Sequence, residues 1–266
     1  MDVKRFTIIL QGSLNKISLN GVGYYKTVAD VVVSYWDTDD ESLLDSVDLS
    51  GVVLVKNSLA GKRVYDFGNV YKQTLTTYSG LSKTRTEFSI KTRSDACFGD
   101  MSFLMNEMER NPDRLFSGSV MFCKTKRHTY HAGDHVIAAK TKTYRLGMRM
   151  LKSLLEHSNP DSLILIPENR YHSVIKKNQY LPHQFASAEQ LITKSLLYSK
   201  KIKDQPQELA NEIMKDNYHI CKYDRLGDIV FTHDRGTKVS NFAAGTWPDG
   251  AWEDGGGFNN IGQIGE

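Results

Sequence analysis

Four short apolar runs, "RFTIIL" (5–10), "ADVVVSYW" (29–36), "GVVLVK" (51–56) and "EFSIKT" (87–92), punctuate the first hundred residues and leave few folds open. Each is rich in β-branched and aromatic residues and is bounded by polar or glycine-containing segments, which is how strands read. Between the third and fourth, "DFGNVYKQTLTTYSGLSK" sets Val70, Thr74, Leu75, Tyr78 and Leu81 at roughly helical spacing. The segments after the first two runs are long enough for crossovers. This β-α-β-α-β-α-β order predicts an α/β fold, a mostly parallel, Rossmann-like central sheet flanked by helices on both faces.

Beyond the fourth strand, Asp100 can cap a helix "MSFLMNEMER", and "RLFSGSVMFCKT" and "HVIAAKT" predict strands on either side of a polar loop. "YRLGMRMLKSLLEH" puts Leu146, Met150 and Leu154 on one side of a helix, and "SLILIP" predicts a strand ended by Pro167. Ser187 and Gln190 form a capping box for "AEQLITKSLLYSKK", and Pro206 suits the first turn of "PQELANEIMKD". The C-terminal third is therefore expected to be mostly helical, with a last strand near "DIVFTH". From residue 239 the composition becomes glycine-rich without periodicity, which predicts an irregular tail over 239–266.

The 266 residues suffice for a sizeable core, and no stretch approaches the ~20 apolar residues of a membrane span. The start, "MDVKRFTIILQGS", lacks a small-residue cleavage site and reads as a strand rather than a signal peptide, so the cytoplasm is the expected compartment. Cys97, Cys123 and Cys221 are odd in number and irregularly spaced, which fits free thiols. With 34 basic against 31 acidic residues, the net charge of +3 is too balanced to announce a nucleic-acid binder, and no nucleic acid is expected as partner. The basic clusters "KTKRH" (124–128) and "SKKIKD" (199–204) read as solvated faces, compatible with peripheral contact at the inner face of a membrane.

Ligands of open parallel sheets bind in the crevice at the carboxyl ends of the strands. Topology alone brings Asp95 there, with Gln11 and Gly12 from the first-strand exit "LQGSLNK" and Trp36 and Asp37 from "SYWD". No GxGxxG follows the first strand, and "SLAGKRVY" has Arg63 where a phosphate-binding P-loop needs Ser or Thr. What is left is a nucleotide-type crevice with an acidic residue at the end of a central strand. A carboxylate so placed can hold a divalent cation against a diphosphate.

These residues resemble the WavE-type lipopolysaccharide-synthesis family. The resemblance is carried in order by "IILQGSL", "VVVSYWD", "NVYKQTLTTYSGL", "IKTRSD", "GDHVIAAKT" and "SAEQLI", over roughly residues 5 to 200. The family pattern has a proline after the first-strand glycine and an arginine before the helix glutamine. Here Ser13 and Lys72 stand in those places, and Lys72 keeps the positive charge. The resemblance implies a GT-A-like glycosyltransferase domain over 1–238, with a donor-binding half at about 1–100 and an acceptor half at about 101–238. It would transfer sugar from a nucleotide-sugar donor to a surface glycan or lipopolysaccharide-type acceptor, lipid-linked or not, with help from Mn²⁺ or Mg²⁺. The alternative is a non-catalytic nucleotide- or carbohydrate-binding module of the same fold.

On this resemblance Asp95 takes the metal-binding place of a DxD-type motif and Ser94 orders the turn. Arg93 either pairs with donor phosphates or braces Asp95. Asn69 and Gln73, four apart, share a helix face and with Lys72 reach base, ribose or phosphates. Asp134 is the candidate base for the acceptor hydroxyl, in which case displacement inverts the anomeric centre, and His135 assists, orients the acceptor or binds metal. Plainer roles compete elsewhere. Glu189 suits its helix dipole, Cys97 reads as a small buried thiol, and His128, His131 and His135 lack a fourth zinc ligand. Tyr130, Trp247 and Trp252 are candidates to stack on sugar rings, although most aromatics are core or anchors.

Overall fold

The computed structural model describes residues 4–60, 69–118, 130, 132–157, 188–202, 207–221, 226, 229–232 and 239–242. In chain order the first half runs β1 (Phe6–Gln11), α1 (Lys16–Asn20), α2 (Val22–Val28), β2 (Asp30–Trp36), a 3₁₀ segment (Glu41–Ser46), β3 (Val52–Asn57), α3 (Val70–Lys83), β4 (Phe88–Arg93) and β5 (Ala96–Phe98). There follow α4 (Ser102–Arg110), β6 (Leu115–Gly118), β7 (Val136–Lys140), α5 (Thr141–His157), α6 (Ala188–Ser199), α7 (Gln207–Asn217), β8 (Tyr218–Cys221), β9 (Ile229–Thr232) and β10 (Val239–Phe242).

Seven strands form one sheet in the order β3-β2-β1-β4-β7-β6-β8. The pairs β3–β2, β2–β1, β1–β4 and β6–β8 are parallel, while β7 runs antiparallel to both neighbours. The fold is thus the mixed, mostly parallel α/β sheet with flanking helices expected from the apolar runs. Alternation along the strands feeds two cores. Ile9, Val32, Val55 and Ile137 face α3, α5 and α6, whereas Ile8, Leu10, Val31, Val33, Phe88 and Ile90 face α1, α2 and α4. Covering both faces is why β1 is buried along its whole length. On the first face α3 lies so close that a Cβ on Gly80 would meet Ile9 Cγ2 at 2.6 Å.

Three features depart from the sequence reading. The connection from β2 to β3 carries a 3₁₀ segment capped by Asp40, whose carboxylate accepts from the Ser42 N–H. β5 is a three-residue strand immediately after Asp95, and it pairs with β9, which in turn pairs with β10. Residues 239–242, expected to open an irregular tail, therefore form a strand, because β9 offers them an edge to pair with. The strand "SLILIP", Ser187, Pro206 and the rest of 243–266 lie outside the described residues.

Candidate functional site

The carboxyl ends of β1, β2 and β4 and the first turn of α3 surround a cavity of about 300 Å³. Gln11, Gly12, Trp36, Asn69, Lys72, Gln73, Arg93 and Asp95 all line it, together with Ser94. The structure thus gathers the eight residues expected to contact a donor into one place. Among the described lining residues Asp95 is the one carboxylate, against two cationic side chains, Lys72 and Arg93.

Register explains how distant residues meet. Gln11 lies opposite both Ser34 and Arg93. Past the strand ends the ladder continues: the Gly12 N–H donates to the Ser34 carbonyl (3.2 Å) and the Ser94 N–H to the Gln11 carbonyl (2.9 Å). Gly12 has φ +126°, and a Cβ there would stand 2.6 Å from Ser94 Oγ, so only glycine lets the two loops close over the cavity floor. Asp39 staples the rim, its Oδ2 accepting from the backbone N–H of Leu14 (3.0 Å) and of Trp36 (2.9 Å).

A buried polar network fixes α3 to the sheet behind the cavity. Ser34 Oγ donates to the Thr76 carbonyl (2.7 Å), and Asn57 Nδ2 donates to Ser34 Oγ (3.0 Å) and the Tyr35 carbonyl (2.9 Å). The Thr76 hydroxyl donates to the Lys72 carbonyl (2.8 Å), so Thr76 Oγ1 can only accept from Gln11 Nε2 (2.8 Å). That assigns the Gln11 amide: its Oε1 is turned away from Thr76. Gln11 Oε1 and Gln73 Oε1 are both buried without a hydrogen-bond partner among the described residues. A buried acceptor left unmade costs ~1–3 kcal/mol, and such an atom in a cavity wall marks a place for a donor. Asn69, at φ 61° before the first turn of α3, accepts from Lys72 Nζ at 3.4 Å.

Behind the cavity lies an ionic cluster. Arg93 holds Asp95 by a two-pronged contact, Nε to Oδ1 at 2.9 Å and Nη2 to Oδ2 at 2.6 Å, and its Nη1 reaches Asp134 Oδ2 at 3.3 Å. Burial works against the charged form of Asp95, but the Arg93 guanidinium outweighs it and keeps the carboxyl below its ordinary range. Burial likewise opposes the Arg93 charge, and Asp134 and Asp95 more than offset it. Asp134 is 1% exposed, and its carbonyl accepts from Lys91 Nζ. Burial pushes the Lys91 ammonium down to about 8 against the pull of Asp134. It lowers the His135 imidazole to about 4, again opposed by Asp134 3.7 Å away, so His135 is neutral at pH 7.

Asp134 and His135 therefore sit behind Arg93, and neither lines the cavity. Among the described residues the lining suits the expected divalent cation poorly. Both oxygens of Asp95 are held by Arg93, and no second carboxylate among the described residues lines the cavity. Plainer readings describe other candidates. Glu189 lies in the first turn of α6, Cys97 has its thiol raised by burial, and Tyr130 is 2% exposed beneath Lys194. His128, His131, Cys123, Trp247 and Trp252 lie outside the described residues.

Sequence reasoning passed over Thr76, Asp39 and Lys91. Thr76 follows Lys72 by four residues and so shares its helix face, and a lysine inside an apolar strand run is itself a signal. Asp39 carries no such mark within the acidic "WDTDD" turn.

No protein-family model and no curated protein matches the chain, so the family named above rests on its motifs alone. Among solved structures, the chain is similar to the apo form of the glycosyltransferase GlyE from Streptococcus pneumoniae TIGR4, at 12% identity and a TM-score of 0.43. It is also similar to S. aureus TarS, at 12% identity and 0.41, and to TarS 1–349 in complex with UDP, at 13% identity and 0.41. These matches cover 83%, 73% and 73% of this chain but only 45%, 34% and 55% of the respective structures. A likeness at this level concerns the course of the chain and not its chemistry. No helix among the described residues is long and apolar enough to cross a membrane.

Proposed function

We propose that the protein is a GT-A-like glycosyltransferase that binds a nucleotide-sugar donor in the cavity at the strand ends and transfers the sugar to a glycan acceptor. The observation that carries this reading is the pair of buried, unpartnered carbonyl oxygens, Gln11 Oε1 and Gln73 Oε1, in a wall that also presents Lys72 and Arg93. The first are acceptors for the N–H and O–H groups of a base or ribose, and the second are counter-charges for a diphosphate. The N-terminus of α3 adds its dipole at the same wall. In the transfer, the bond between the anomeric carbon and the diphosphate oxygen breaks and the diphosphate leaves with the electron pair. The acceptor oxygen bonds the anomeric carbon and passes its proton to the departing diphosphate. Lys72 and Arg93 stabilise the leaving group's growing charge. A surface or lipopolysaccharide-type acceptor, and work at the inner face of the membrane, belong to the same proposal through the motif resemblance.

One observation favours a second reading, a nucleotide-binding module without turnover. The expected base, Asp134, is 1% exposed and bound to Arg93, and the cavity's own carboxylate is held by the same guanidinium. A thermal-shift screen of nucleoside diphosphates and nucleotide sugars separates the possibilities from a chain that does neither. A ligand at 100 times its Kd adds about 2.7 kcal/mol to stability, a plain shift in Tm. Stabilisation by none of them would sink both readings. Among binders, release of the nucleoside diphosphate from its sugar on adding acceptor glycans or water marks the enzyme, and binding without release marks the module.

A further inference from the structure

We infer that the donor diphosphate is held here by fixed side-chain cations, Arg93 and Lys72, and not by a divalent metal on Asp95; this rests on the donor-site reading above. A metal carboxylate must offer lone pairs to the ion. Asp95 spends both oxygens on Arg93, in the side-on geometry with contacts of 2.9 and 2.6 Å, while its side chain is 19% exposed at the cavity. A cation on the remaining lone pairs of Asp95 would sit beside the guanidinium, and the two positive charges would repel. Asp95 would then be shared between two cations, with Asp134, 3.3 Å from Arg93, offsetting part of the guanidinium charge.

The cluster is built so that Arg93 stays put. Asp95 holds one edge of the guanidinium, and Asp134 holds the third nitrogen from a position 1% exposed. Asp134 is itself anchored by Lys91, whose Nζ donates to its carbonyl. The Arg93 side chain is nevertheless 28% exposed, on the cavity side. Asp95 is then a positioning residue: it aims the guanidinium at the place where a diphosphate would lie. Lys72, in the first turn of α3 with Nζ 3.4 Å from Asn69 Oδ1, also lines the cavity and supplies the second positive charge. Among the described lining residues two side-chain cations stand against one carboxylate, a balance that suits an anion.

The test is calorimetric titration of the full chain with UDP, GDP, ADP and CDP, each in excess EDTA and again in Mn²⁺ and in Mg²⁺. The expected result is that at least one of them binds in EDTA with a Kd within about threefold of its value in either metal. Tightening by the metal of threefold or more overturns the inference while leaving the donor reading standing. Binding of none of them under any condition overturns the donor reading and the inference with it. Because Arg93→Gln strands two acidic groups and can unfold the chain, Lys72→Met and Asp95→Asn carry the decision. Lys72→Met is expected to weaken EDTA binding by about tenfold or more, the loss of one charge-assisted contact. Asp95→Asn keeps an acceptor for Arg93 and is expected to change the EDTA affinity by less than about tenfold while leaving it unresponsive to Mn²⁺. Unchanged binding in the first variant, or a larger loss in the second with its fold intact, overturns the assignment of roles.

Discussion

At the scale of single residues, the site is defined by which groups keep their charge. His135 is held neutral by burial, with its pKa lowered to about 4, while Asp134, Asp95, Arg93 and Lys91 surround it with two charges of each sign. The unfolded chain takes up this proton near the ordinary value of 6.5, before the folded one does. The stability from His135 is therefore complete above about 6.5 and is lost as pH falls through 4. Urea melts are expected to show up to about 3 kcal/mol less stability at pH 4 than at pH 7 from this group. His219, also lowered by burial, contributes in the same window, so the comparison is with His135→Asn. A variant with the same slope as the parent chain would rule His135 out as the source. The clustering of Gln11, Gly12, Trp36, Arg93 and Asp95 is legible in the sequence, since strand ends converge in a parallel sheet. The burial of Asp134 is not. "GDHV" reads as a polar turn, and the partner that makes burial tolerable, Arg93, lies 41 residues earlier in the chain.

At the scale of elements, α3 shapes the cavity, and beside its apolar packing polar contacts fix it at both ends. Thr76 links it to Gln11 of β1 and to Ser34 of β2, while Arg145 of α5 donates to the carbonyls of Leu81 (3.0 Å) and Thr84 (2.6 Å) at its far end. Thr76→Val keeps the shape but leaves Gln11 Nε2 without its acceptor. It is expected to cost about 1–3 kcal/mol of stability and to weaken nucleotide binding, with Thr76→Ser restoring both. Equal binding in Thr76→Val and the parent chain would mean that the Gln11 amide plays no part in the site. The strands of this half were readable because β-branched runs alternate with helical spacing. Direction and very short strands were not. "VIAAK" carries nothing that says β7 must oppose β4, and "ACF" is too short to show a period of two. β5 exists because its partner β9 lies more than a hundred residues further on, which no local pattern records.

At the scale of the whole molecule, the second sheet ties a mid-chain strand beside the site to the C-terminal end of the described residues. β5 begins one residue after Asp95, and its ladder to β9 pairs Ala96 with Phe231 and Phe98 with Ile229. The Asp100 N–H also donates to the Leu226 carbonyl at 3.0 Å. Ending the chain after Leu226 removes β9 and β10 while leaving the seven-stranded sheet its own strands. Circular dichroism is expected to change little, and affinity for the nucleotide that binds the full chain is expected to fall by about tenfold or more, as the turn carrying Asp95 loses its brace. Undiminished affinity in the shortened chain would show that the turn is held by β4 alone.

The same pairing has a consequence in time. A ribosome that has released the first hundred residues has supplied the described side chains that line the cavity, yet the strand that steadies their acidic turn is still more than a hundred codons away. Contacts so distant along the chain form late, because the loop between them must close first. The binding turn therefore waits for a segment made long after it.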